Sequence, residues 1–106
     1  SETFIKEFND YCFMIYDNTT VVYDYNCQPL ITINSVYNND NTYYMIDTEF
    51  GILTTIQEGV YCIIKIDFTT MTTKQLLVSH KRPNYIKYGE STIVISYRDG
   101  ITILSP

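Results

Sequence analysis

Short segments in which apolar and polar residues alternate recur from one end of this chain to the other. Ile31-Thr32-Ile33-Asn34 and Ile101-Thr102-Ile103 are two examples. Such alternation gives an extended strand one buried face and one wetter face. Asp99-Gly100 precedes the second example and predicts a hairpin turn, because both residues tolerate a positive φ. We predict eleven strands: Thr3–Phe8, Tyr11–Tyr16, Thr20–Tyr25, Leu30–Asn34, Thr42–Ile46, Gly51–Ile56, Val60–Asp67, Lys74–Ser79, Asn84–Tyr88, Thr92–Tyr97 and Gly100–Leu104.

The composition supports strands over helices. Ile, Val and Thr together fill 35 positions, and the chain has 11 Tyr and 5 Phe but no Ala. β-branched and aromatic side chains suit a pleated sheet, whereas Ala, the best helix former, is absent. The length of 106 residues fits one domain with one modest core. We therefore predict a single all-β domain over residues 1–106, built from antiparallel hairpins or meanders.

The predicted strands repeat in order when the chain is laid over itself at an offset of about 40 residues. The first strands of successive units begin near Thr3, Thr42 and Asn84. The possible units are 3–41, 42–83 and 84–106, and the third ends before a fourth strand of its own. At a larger offset, Phe4-Ile5-Lys6 falls on Tyr85-Ile86-Lys87.

This pattern resembles the blades of β-propellers, which have four short strands each, and corresponds to about 2.75 such units. The resemblance implies self-association, because fewer than three complete blades do not close a ring. A β-sandwich or barrel remains slightly favoured, since short strands at regular intervals are usual in those folds too.

The charge of the chain is unevenly distributed. The net charge is −5, yet residues 1–73 carry ten acidic residues against Lys6 and Lys65, while residues 74–106 carry five basic residues against Glu90 and Asp99. An acidic chain repels phosphate backbones, so we predict no nucleic-acid partner. The asymmetry is typical of an ordinary solvated surface, or it marks a basic patch that meets an acidic partner.

Cysteine usage and hydropathy indicate a soluble protein of a reducing compartment. Cys12, Cys27 and Cys62 are odd in number and lack the C-x-x-C spacing of metal or redox sites. No apolar run approaches membrane-spanning length, so we predict no membrane partner. We expect a cytoplasmic location. The excess of Ile, Asn and Tyr over Ala and Gly suggests an AT-rich genome, such as that of a virus or parasite.

Residues capable of covalent chemistry are sparse. His80 is the single histidine, and its neighbour Ser79 would point to the opposite side of an extended segment. Asp47-Thr48-Glu49 could pair two carboxylates, and Asn38-Asn39-Asp40-Asn41 offers oxygen ligands, yet both are more typical of turns. We predict no enzyme activity, no cofactor and no metal site.

Function is therefore expected at the connections between strands. If the units are blades, the connections after each second and fourth strand share one face. We predict a non-catalytic protein–protein interaction module, binding a host protein if the source is a virus or parasite. The alternatives are a self-assembling structural protein, and a small hydrolase or carbohydrate-binding domain. The candidate binding residues are Tyr37, Asp40, His80, Lys81, Arg82 and Arg98.

Overall fold

The computed structural model describes residues 3–8, 10–16, 18–35, 42–89 and 91–106. All regular structure in these ranges is β-strand, which confirms the all-β prediction. Tyr37 and Asp40 lie outside the described residues. The strands are β1 (Thr3–Phe8), β2 (Tyr11–Tyr16), β3 (Thr19–Asp24), β4 (Pro29–Asn34), β5 (Thr42–Met45), β6 (Phe50–Gln57), β7 (Val60–Asp67), β8 (Thr72–Ser79), β9 (Tyr85–Tyr88), β10 (Ile93–Tyr97) and β11 (Gly100–Leu104).

The strands form three separate antiparallel meanders. Sheet I has the order β1-β2-β3-β4, sheet II the order β5-β6-β7-β8, and sheet III the order β11-β10-β9. Every neighbouring pair in these sheets is also consecutive in the chain, so short hairpin connections suffice throughout. Each sheet lies within one of the three units defined by the sequence spacing.

Sheet II is the middle layer and is buried on both faces. Leu53, Cys62 and Ile64 pack with residues of sheet I, whereas Ile52 and Ile63 pack with residues of sheet III. Neighbouring residues of a strand point to opposite faces, so β6 and β7 need apolar residues at successive positions. β6 accordingly has the pair Ile52 and Leu53, and β7 the run Cys62–Ile64, whose successive side chains pack against different neighbouring sheets.

Sheets I and II share two local features in addition to strand order. The pairing register shifts at the fourth residue of the third strand, which is Val22 in β3 and Ile63 in β7. Each third strand also ends in an aspartate, Asp24 or Asp67, whose carboxylate accepts backbone N–H groups of the following turn. Such Asx turns fix the direction in which the fourth strand returns.

The β10–β11 hairpin differs by one residue from the predicted turn. Tyr97 pairs with Gly100, so the two connecting residues are Arg98 and Asp99, and Gly100 begins β11. The predicted hairpin, with one strand ending at Tyr97 and the next beginning at Gly100, is confirmed, and only the expectation that Gly100 is one of the two turn residues is wrong. Neither Arg98 nor Asp99 has a positive φ, so this hairpin does not need glycine's conformational freedom at its connecting residues.

The β6–β7 hairpin does use that freedom, and it provides a stability test. Glu58 and Gly59 connect the strands with φ values of 51° and 81°. A Cβ added at Gly59 meets nothing within 4 Å, so substitution adds backbone strain without a clash. We expect Gly59→Ala to reduce the free energy of unfolding by about 1–2 kcal/mol, measured by urea denaturation. Gly59→Asn is the control and should cost less, because Asn adopts this conformation more readily. Equal stability of Ala and Gly at this position would contradict the prediction.

Candidate interaction face at the strand connections

Several strand connections meet at one end of the sheets. The backbone N–H of Ser35, after β4, donates to the carbonyl of Asn18 in the β2–β3 turn at 2.9 Å. The Nζ of Lys81, after β8, lies 2.9 Å from Oδ2 of Asp99 in the β10–β11 turn. The connection after a fourth strand therefore contacts a turn between a second and third strand in both cases. We call this end the loop face: Asn18, Asn34, Ser35, Gln57–Gly59, His80–Pro83 and Arg98–Gly100.

Lys81 is held in place by contacts of both its backbone and its side-chain ammonium group. Its backbone N–H donates to Oγ of Ser79 at 3.0 Å, and its ammonium group lies 5.9 Å from the centre of the Tyr97 ring. The hydrogen bond from Lys81, together with its positive charge, lowers the pKa of Asp99 below its usual range. Asp99 is therefore ionised at neutral pH, and the ion pair ties the β8–β9 connection to the β10–β11 turn.

The loop face contains the four predicted binding residues that the structure describes. His80, Lys81 and Arg82 follow one another in the β8–β9 connection, and Arg98 is next to the Asp99 that Lys81 contacts. All four side chains belong to exposed residues. Asp99 and Tyr97 are not among the predicted binding residues, because only the folded chain brings them beside Lys81.

A cleft of about 430 Å³ adjoins the loop face and was not predicted. The Gln57 side-chain amide donates to the backbone carbonyl of Asn34, and the Gln75 amide donates to Oε1 of Gln57 at 3.1 Å. The first bond links the ends of sheets I and II, and the second orients the Gln57 side chain from within sheet II. No sequence signal identifies the cleft, since the residues that line it come from β4, β6, β7, β8 and the β6–β7 turn. It is lined by Asn34, Gln57, Glu58, Val60, Cys62, Gln75 and Val78.

The cleft offers hydrogen-bonding groups rather than an activated nucleophile. Burial raises the pKa of the Cys62 thiol, so the thiol stays protonated at neutral pH. Among the residues that the structure describes, no group of three or more His, Cys, Asp or Glu side chains is arranged to hold a metal ion.

The acidic residues considered as a carboxylate pair occupy a turn. Oδ1 of Asp47 accepts the backbone N–H groups of Glu49 and Phe50 at 2.7 and 3.0 Å. Asp67 behaves similarly, and hydrogen bonds led by the Thr69 hydroxyl lower its pKa. These carboxylates stabilise the connections between strands, which is the common role of acidic residues at such positions.

Comparisons with known proteins identify no relative of this chain. Within the ranges given above, the chain has no helix with the length and hydrophobicity needed to cross a membrane. The chain matches no protein-family model, no curated protein and no solved structure.

Proposed function

We propose that this protein is a non-catalytic interaction module whose loop face binds an acidic surface of a partner protein. The observation that carries the proposal is the Lys81–Asp99 ion pair, which places Arg82 and Arg98 on two adjoining connections of a rigid β frame. Binding residues are commonly presented in this way, on loops held by a scaffold.

The chemistry of this surface suits carboxylates. The guanidinium group of arginine presents paired N–H donors that match a carboxylate, and it keeps its charge at any physiological pH. Tyr97 adds a half-buried aromatic ring beside Lys81, and aromatic and arginine side chains are enriched at protein interfaces. The Lys81–Asp99 pair is exposed and contributes little to stability, so its proposed role is to hold the two connections together.

The test compares two variants of equal net charge. Arg82→Ser/Arg98→Ser removes two positive charges from the loop face, whereas Lys74→Glu changes the net charge by the same two units at an exposed position on β8, away from the loop face. The probe is polyglutamate at low salt, with polylysine as the opposite-charge control. We expect the arginine variant to bind about tenfold more weakly than the wild type, the result of losing two contacts of roughly 0.7 kcal/mol each.

The lysine variant should keep most of the affinity, and both variants should retain the wild-type melting temperature. An equal loss of affinity in the two variants would show that polyglutamate binding depends only on net charge. That result would contradict a binding site on the loop face. Binding of the wild type to polylysine but not to polyglutamate would contradict the proposed partner chemistry.

A further inference from the structure

The outermost face of sheet III is exposed and largely apolar, with Ser96 and Lys87 as its polar members. Ile101 and Ile103 are 65% and 62% exposed, and Val94 and Tyr85 lie on the same face. Neither core cluster of the described residues includes a side chain of this face. A contiguous apolar surface of this kind typically marks an interaction site.

The strand registers show how this face relates to the two packed interfaces. Val22, Ile63 and Ile103 are each the fourth residue of the third strand in their sheet. Val22 packs with sheet II, and Ile63 packs with sheet III. We call the face that carries these residues the forward face. Sheets I and II therefore each bury a forward face against the next sheet, and sheet III leaves its own uncovered.

The opposite face of each sheet, the rear face, shows the complementary pattern. Ile64 and Leu104 are the fifth residues of β7 and β11, and they pack with sheets I and II respectively. The equivalent residue of sheet I is Tyr23, whose rear face also carries Met14 and Ile5. Ile5 is 52% exposed, and this face contributes nothing to either core cluster of the described residues.

We propose that two copies of this chain close a ring of six sheets, in which the forward face of sheet III of each copy packs on the rear face of sheet I of the other. Both internal interfaces already join a forward face to a rear face, so the proposed contact continues the same packing. Rings of packed small sheets, as in β-propellers, contain about four to eight sheets. Each copy contributes three sheets, and six is the only multiple of three in that range.

Charge complementarity supports a second copy of this chain as the partner that covers these faces. Lys87 pairs with Val94 and lies on the forward face of sheet III, while Glu7 pairs with Cys12 and lies on the rear face of sheet I. Both residues are exposed. When the first hairpins of sheets I and III are superposed, Glu7 falls on Tyr88. The hydroxyl of Tyr88 lies 3.0 Å from Oγ1 of Thr54 in sheet II. Thr54 is the counterpart of Val94 in sheet III, because the two residues pair with Ile63 and Ile103 respectively. The same packing between copies would bring Glu7 close to Lys87.

The test is the molar mass in solution, measured by light scattering at a low and a high protein concentration. We expect the wild type to reach twice the 12.4 kDa of one chain. Ile103→Glu on the forward face and Ile5→Glu on the rear face should each reduce this mass to that of the monomer. Tyr25→Glu, at a highly exposed turn position, is the control and should leave the dimer intact. Circular dichroism shows whether each variant is folded.

A mixing experiment tests the directional nature of the contact. Ile103→Glu chains retain a working rear face and Ile5→Glu chains a working forward face, so an equimolar mixture should form dimers joined by one contact. If either variant fails to fold, Lys87→Glu weakens the dimer and Lys87→Glu/Glu7→Lys restores it. A wild type that stays monomeric, a mass above the dimer, or a dimer lost with Ile103→Glu but not with Ile5→Glu would each overturn the proposal. The loop face is not involved, so the two proposals fail independently.

Discussion

Replacing Leu53 by alanine is expected to lower the free energy of unfolding by about 2–5 kcal/mol, the usual cost of truncating a fully buried leucine. Leu53 lies in β6 with no exposed surface and belongs to the core cluster between sheets I and II. The loss combines the transfer energy of the missing methyl and methylene groups with the cavity they leave. Because the sheets form layers, this cavity lies between two of them and weakens their packing.

The measurement is urea denaturation followed by circular dichroism, with Val78→Ala as the matched control. Val78 lies in β8 of the same sheet, paired with Cys62, but is half exposed, so its truncation should cost less than about 1 kcal/mol. Ile52→Ala should resemble Leu53→Ala, because Ile52 is equally buried on the opposite face of the same strand. A mild effect at Leu53 together with a large one at Ile52 would contradict packing of sheet I on sheet II.

Thr20→Val is expected to cost about 1–3 kcal/mol, because it leaves the Ser35 hydroxyl without its partner. Thr20 and Ser35 have no exposed surface, and their hydroxyl groups form a hydrogen bond to each other. Valine has nearly the shape of threonine, so the penalty arises from a buried polar group that has lost its hydrogen bond rather than from a cavity.

A double-mutant cycle separates these effects. Thr20→Val/Ser35→Ala removes both hydroxyl groups, so it should be more stable than the sum of the single losses predicts. The backbone N–H of Ser35 still donates to Asn18 in every variant, which keeps the start of the β4–β5 connection in place. Additive losses in urea denaturation would show that the two hydroxyl groups do not depend on each other.

The strands were predictable because their signal is local. β1, β2, β7 and β11 have the predicted bounds, and the other strands differ by at most two residues at either end. Alternation and turn residues act within a few positions of one another, so they can be read without knowledge of distant contacts. Pro29 fits the same rule, since it begins the edge strand β4, where a missing N–H is tolerated.

The stacking of the sheets and the composition of the site could not be predicted in the same way. Thr54 and Thr55 are buried although they are polar, because β6 is covered on both sides by sheets far away in sequence. Asp99 was expected to be a simple turn residue, yet it also pairs with Lys81 across the loop face. Both results depend on contacts between units, which alternation within one strand does not encode.

The three strands of sheet III have a consequence for the handling of this protein. In the described part of the chain, β11 pairs only with β10, whereas β3 and β7 each have a strand on both sides. The outer side of β11 is thus an open row of backbone amide and carbonyl groups, a template on which extended segments of partly unfolded molecules can nucleate fibrils. The shortness of β11, at five residues, limits how many hydrogen bonds such a nucleus can form.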